Sequence, residues 1–193
     1  ALGFVTRTPM KAQNFNDYAH KVKYPCYIQP KLNGQRMLID SEGNCQSKQG
    51  ESIELPEHWK EDIKKLVESG LMKDGIDGEI FSGHVKQGGL SLQQIISAFR
   101  KPNADTPKLQ YWVYDIPNQS AMQHRNNTLR YLAESKPDCV VMVDSVEINN
   151  QLEADSYFES VVKQGYEGVV YRNLDGVYEF GKRSYNLIKR KPR

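Results

Sequence analysis

The sequence predicts an α+β domain with twisted, largely antiparallel sheets flanked by helices. Apolar residues recur at helical spacing in several stretches and alternate in strand-like fashion in others. The two kinds of segment follow one another without a regular βα alternation. Short turns rich in Gly, Asn and Pro join many of the strands, which favours antiparallel neighbours. At 193 residues the chain can bury a substantial core, as one large domain or two small lobes.

The elements follow in order. Thr8 to Ala12 reads as an opening loop, and Asn14 as the cap of a short helix with Phe15, Tyr18, Ala19 and Val22 at helical spacing. Tyr24-Pro25 ends that helix and leads into the strand Tyr27-Ile28-Gln29. Asn33-Gly34 between this strand and Met37-Leu38-Ile39 predicts a hairpin, because a type I′ turn needs φ > 0 at both central residues. Ser41 to Asn44 turns the chain back through Cys45 to Lys48, and Gln49-Gly50 breaks that strand. Pro56 opens a helix with Trp59, Ile63, Leu66 and Val67 on one face, stopped by Gly70.

Ile76 to Phe81 is a strand carrying two acids and a glycine, followed by a polar connection from Gly83 to Gly89. Ser91 caps a helix bearing Leu92, Ile95, Ile96 and Phe99, and Pro102 to Pro107 is a loop. Leu109 to Ile116 is a strand by its aromatic and β-branched content. Thr128 to Ser135 reads as a helix, Val140 to Ile148 as one strand, and Tyr157 to Val162 as part of a helix stopped by Gly165. Glu167 to Tyr171 and Tyr185 to Lys191 close the chain as strands, with a turn at Gly176.

Composition excludes several classes. No apolar run is long enough to span a bilayer, and no signal peptide opens the chain at Ala1. Cys26, Cys45 and Cys139 are odd in number, far apart and without a CxxC pair, which suits a reducing compartment and argues against a zinc site. His20, His58, His84 and His124 form no ligand pattern. The net charge is +2, yet Gly181 to Arg193 holds six cations and no acid, so the remainder is mildly acidic. A basic end on an acidic body points to a phosphate-rich partner.

Four short elements combine into one chemistry: Lys31, Asp77-Gly78-Glu79, Glu167-Gly168, and the strand with Lys189 and Lys191. The last two lysines are two apart on a strand, so they share a face. Two like charges there are unfavourable unless an anion lies between them. Glu79 and Glu167 each adjoin a glycine, where backbones approach closely and a carboxylate can point into a cleft. A lysine nucleophile, two carboxylates and a lysine pair are what covalent nucleotidyl transfer needs. The lysine attacks, the pair neutralises phosphate charge, and the carboxylates hold a divalent metal. The base needs a flat slot, which Tyr114 offers by stacking. Neither GxxxxGK[ST] nor GxGxxG occurs, so the familiar nucleotide cradles are absent.

These residues resemble the signature set of the covalent nucleotidyltransferase superfamily, and most closely the ATP-dependent DNA ligases of the small viral and phage type. Pro30-Lys31-Leu32-Asn33-Gly34-Gln35-Arg36 resembles the KxDGxR nucleophile motif, and Ser47-Lys48 the element that follows it. Asp77-Gly78-Glu79-Ile80 resembles the DGE motif, and Trp112 to Ile116 the aromatic-Asp strand. Glu167 to Arg172 is similar to the EG motif, Leu187 to Lys191 to the closing KxK strand, and Pro9-Met10-Lys11-Ala12 to the PMLA-like entry. The elements run in the family's order from Pro9 to Lys191.

The resemblance implies a nucleotidyltransferase (ATP-grasp-like) fold, with residues 1–193 forming the adenylation domain and ending before the OB-fold domain of family members. It implies that Lys31 forms lysyl-AMP from ATP, with Mg²⁺ or Mn²⁺ as the metal. Glu79 would bind the ribose or metal, and Glu167 the metal. Lys189 and Lys191 would contact the phosphates, and Tyr114 would stack on adenine with Ile28 and Gln29 near the base edge. Arg36 and Lys48 would engage phosphate, including that of the DNA. The partner implied is nicked duplex DNA, met by a monomer with no membrane association. Three features depart from the family: Asn33 for the usual Asp, Lys48 for the usual Arg, and the end at Arg193. An RNA ligase, an mRNA guanylyltransferase and a non-catalytic nucleic-acid-binding relative share the scaffold and stay open at this point. Asp115 and Arg125 read as structural.

Overall fold

Two sheets organise the chain. A computed structural model describes residues 7–193, so Ala1 lies outside the described residues. The five-stranded sheet runs β1 (Lys11–Asn14), β11 (Arg183–Arg190), β10 (Gly168–Asn173), β2 (Cys26–Lys31), β9 (Val146–Ile148). The six-stranded sheet runs β5 (Ser52–Ile53), β4 (Cys45–Ser47), β3 (Gln35–Ile39), β6 (Ile76–Phe81), β7 (Gln110–Asp115), β8 (Val140–Met142). Among the described residues β1 with β11 and β7 with β8 pair in parallel, and the other neighbours are antiparallel. The mixed, largely antiparallel architecture expected from the sequence is therefore present.

Each sheet has its own helices and its own core. Helices α2 (Glu57–Glu68), α3 (Leu92–Arg100) and α4 (Met122–Glu134) serve the six-stranded sheet. On α2, Trp59, Ile63 and Leu66 are buried at helical spacing, each burial contributing roughly 1.5–3 kcal/mol. Ser91 and Gln94 close a capping box at the start of α3, satisfying backbone donors that the helix leaves open. The five-stranded sheet packs against α1 (Phe15–Tyr18) and α5 (Gln151–Gln164), through Ala154 and Val161 of the latter. Gly165 ends α5 at φ +111°, a left-handed cap that side chains resist.

Four local expectations differ from the structure. Lys31 is not in a hairpin: β2 pairs with β10 and β9, whereas β3 pairs with β4 and β6. Asn33-Gly34 carries the chain between sheets, and neither residue has positive φ. Burial of both strands in separate sheets outweighs the turn preference of the dipeptide. Val140 to Ile148 is likewise two strands, with the chain crossing between sheets after Val143, whose N–H donates to Val113 O. The Thr8 to Ala12 loop ends in strand β1, paired with a strand from the far end of the sequence, a partnership no local pattern displays. Helix α4 starts at Met122 rather than Thr128, because the N–H groups of Met122 and Gln123 find Gly176 O and Leu174 O.

Candidate active site

The inner surfaces of the two sheets enclose a cleft of about 800 Å³. Its lining holds seven cationic side chains against the two carboxylates of Glu79 and Glu167, a balance that favours a polyanion. Val170 and Leu187 provide apolar floor, and Leu92 and Ile96 of α3 reach its rim.

Lys31 stands at the end of β2, opposite Gly168 on β10. A side chain at Gly168 would meet Arg190 O at 2.0 Å, so glycine lets three strands converge beside the lysine. The Glu167 N–H donates to Lys31 O at 3.2 Å. Lys31 Nζ lies 3.4 Å from Glu167 Oε1, and Lys191 Nζ lies 2.9 Å from the same oxygen. Burial opposes ionisation of Glu167, but the hydrogen bond from Lys191 and the charge of Lys31 outweigh it and hold its carboxyl below the usual range. Lys189 faces the cleft from β11. Burial, then the charges of Lys31, Arg183 and Lys191, push its pKa below that of an ordinary lysine.

Glu79 reaches in from the other sheet. Its Oε2 accepts the Gly34 N–H at 3.1 Å and its Oε1 accepts the Tyr114 hydroxyl at 2.8 Å. Burial pushes its carboxyl above the usual range despite those donors and the nearby Arg36 and Lys31. The register of β6 against β7 slips between Asp77 and Gly78, leaving Tyr114 without a β6 partner. Such a bulge re-aims side chains, and here the Tyr114 ring lines the cleft with Arg172 and Arg36 at 5.3 and 5.8 Å from its centroid.

The remaining expected site residues divide. Lys48 lines the cleft from just beyond β4 and is exposed. Arg36 lines it too, but its guanidinium is held by Asp77 at 3.0 and 2.5 Å and by Met10 O at 2.6 Å. Ile28 and Gln29 do not line it. Ile28 is buried in the core of the five-stranded sheet. The Gln29 amide is consumed by Arg172 Nε at 2.7 Å, Tyr114 O at 3.1 Å and Ser145 Oγ at 2.7 Å. Strand alternation buries both, the first against α5 and the second between the sheets.

Sequence reasoning missed Arg172, Arg183 and Lys11, which also line the cleft. Arg172 and Arg125 share the buried Asp115, at 2.7 and 2.8 Å, and so rivet the two sheets behind Tyr114. An arginine inside an apolar strand was the available signal for Arg172, since a buried cation needs an acid. Asp115 and Arg125 have the structural roles the sequence suggested.

No group of three or more His, Cys, Asp or Glu able to hold a metal ion occurs among the described residues. The donor set nevertheless suits Mg²⁺, which takes one or two carboxylates together with phosphate oxygens and water. Glu79 and Glu167 both line the cleft and are both oxygen donors.

Residues 9–191 match the model of the ATP-dependent DNA ligase domain. The chain is 25% identical over 178 residues to a DNA ligase of African swine fever virus, covering 86% of this chain and 41% of that protein. It is 26% identical over 179 residues to a probable DNA ligase of Dictyoglomus turgidum, covering 86% of this chain and 31% of that one. The chain thus spans about two fifths or less of these relatives' length. Among solved structures it resembles a Chlorella virus DNA ligase–adenylate, with TM-score 0.71 and 25% identity over 95% of this chain and 67% of that one. A Lig E DNA ligase shares the fold at TM-score 0.76 and 20% identity, over 96% of this chain and 68% of that one.

Proposed function

The chain belongs to the ATP-dependent DNA ligase domain family, and from that premise we propose that its cleft carries out the nucleotidyl-transfer steps of nick sealing. One observation carries the reading: Lys31 shares the Glu167 carboxylate with Lys191 in a cation-lined cleft. A salt-bridged lysine lining a basic cleft is positioned for an electrophile that brings negative charge with it.

Lys31 Nζ, once deprotonated, attacks the α-phosphorus of ATP. A P–N bond forms, the bond to the β-phosphate oxygen breaks, and pyrophosphate leaves. Lys189 and Lys191 neutralise the phosphates during that displacement. The Tyr114 ring supports the adenine, and Glu79, held by Gly34 and Tyr114, faces the sugar. Glu79 and Glu167 would hold Mg²⁺ or Mn²⁺, which when bound offsets phosphate charge and orients the leaving group. The 5′-phosphate of a nick then displaces Lys31 from the adenylate, and the adjacent 3′-OH displaces AMP to form the phosphodiester. Lys48 serves the nicked duplex rather than the nucleotide, because it stands exposed at the cleft rim. Arg36 is assigned to hold the cleft wall through Asp77, adding positive potential there. The substrates are ATP and nicked duplex DNA, the acting species is a monomer, and residues 1–193 constitute the adenylation domain.

Incubation with α-labelled ATP and Mg²⁺, followed by denaturing electrophoresis, tests the reading. A covalent label is expected with ATP and not with GTP, and none in Lys31→Ala. A label that persists in Lys31→Ala, or one that requires GTP, overturns it.

A further inference from the structure

Glu79 lies on β6 of one sheet and Glu167 immediately precedes β10 of the other, so something must set their separation across the cleft. Behind Tyr114 the Asp115–Arg172 pair does this. Beside Glu167 the six-stranded sheet reaches across through the segment that follows β6. That segment is tightly closed. Gly83 and Gly88 take φ of +89° and +87°, and a side chain at Gly89 would meet Gly83 O at 1.9 Å. His84 O accepts the N–H groups of both Gln87 and Gly89 at 3.1 Å, and Ser82 Oγ accepts that of Leu90 at 2.8 Å.

This closed segment drives one side chain inward. His84 is 4% exposed, and its ring meets Tyr166 edge-on at 4.9 Å. Its Nδ1 has no hydrogen-bond partner and lies 3.0 Å from where a Cβ at Gly165 would sit. Lys86 Nζ donates to Lys163 O at 3.3 Å, adding a second contact to the end of α5. Tyr166 immediately precedes Glu167, whose own N–H is bonded to Lys31 O. The Gly165–Tyr166–Glu167 corner is thus held between His84 on one side and the Lys31 backbone on the other.

We propose that His84 is a positioning residue: a strut from the Glu79 strand that seats Tyr166 and so aims Glu167 at Lys31. The aromatic edge against Tyr166 and the closeness of the ring to Gly165 are what carry the strut. The strut acts on the orientation of Lys31 and Glu167 rather than on the base slot, which Tyr114 and Arg172 form elsewhere in the cleft.

The inference rests on the adenylation reading, and its test separates the two. Single-turnover lysyl-adenylate formation is measured across ATP concentrations in wild type, His84→Ala, His84→Phe and Val85→Ala, Val85 being an exposed neighbour. His84→Ala should lower the limiting rate about 10- to 100-fold, as small misplacements of reacting groups do. Half-saturating ATP should stay within about threefold, because the base slot is intact. His84→Phe, which retains the aromatic edge, should recover most of the rate, and Val85→Ala should match wild type. Hydrogen exchange of the Glu167 amide should accelerate about tenfold in His84→Ala and not in Val85→Ala. If His84→Ala does not fold, His84→Leu, which keeps bulk without the ring, replaces it. A wild-type rate in the Ala or Leu variant, or an equal loss in the Phe variant, overturns the strut. A wild type that forms no adduct overturns the adenylation reading instead, and the exchange measurement then decides the strut by itself.

Discussion

Gly34→Ala tests how the lysine-bearing crossover is held. A Cβ at Gly34 would lie 2.3 Å from Ile80 O and 2.8 Å from Glu79 Cγ, where ordinary contact begins near 3.4 Å. Ile80 belongs to β6, an interior strand bonded on both sides, so its carbonyl is poorly placed to yield. The crossover must therefore retreat by about 1 Å, the scale at which packing contacts are forfeited. The overpacking costs about 1–3 kcal/mol. Loss of the Gly34 N–H bond to the Glu79 carboxylate adds roughly 1.5–3 kcal/mol if the group stays buried. For a domain of this size each kcal/mol lowers Tm by about 2–4 °C, so even the overpacking alone predicts a fall of about 2–12 °C. Lys31 lies three residues upstream on the displaced segment, and a 1 Å misplacement costs about 100-fold in rate. Differential scanning fluorimetry and single-turnover lysyl-adenylate formation read the two effects. A Gly34→Ala protein with wild-type Tm and wild-type rate would falsify the close-approach argument.

The other predictions concern charge. Lys48→Ala should leave lysyl-adenylate formation intact and reduce AMP transfer to nicked DNA, whereas Lys189→Ala should impair the first step; equal loss of the first step in both would move Lys48 into the nucleotide site. Glu167 has a depressed folded pKa, so the unfolded chain binds more protons and stability rises with pH through that window. Its contribution is present above the ordinary carboxylate value of about 4.3 and disappears as pH falls through the folded value. Urea midpoints against pH should drop more steeply in acid for wild type than for Glu167→Gln, and parallel curves would refute the ion-pair role. Asp115→Asn leaves Arg125 and Arg172 buried without a carboxylate and should cost about 3–5 kcal/mol, a Tm fall of roughly 6–20 °C. A fall under about 3 °C would show that the sheets are riveted some other way.

Much of the architecture was legible in local chemistry. The α2 stripe of Trp59, Ile63 and Leu66, the Ser91 cap and the Gly165 stop all act within a few residues of themselves, so their order along the chain suffices to read them. The acids of Asp77-Gly78-Glu79, the Glu167-Gly168 pair and Lys189 were equally visible, because charge and glycine are unfavourable in strands without a reason. What no local pattern contained was which strand lies beside which. Asn33-Gly34 has the same preference for a tight turn whether the flanking strands pair or part, and long-range burial sent them to different sheets. Ile28 and Gln29 look like neighbours of a nucleotide in sequence, yet alternation along β2 turns one into a helix-covered core and commits the other to Arg172. Arg172 and Asp115, Arg36 and Asp77, and Tyr114 and Glu79 each meet across segments far apart in the chain. Such pairings depend on the close approach of two backbones, and the energy that selects them is buried area and satisfied charge summed over both sheets. Residue types therefore pointed to a chemistry, while tertiary packing decided which of them face the same cleft.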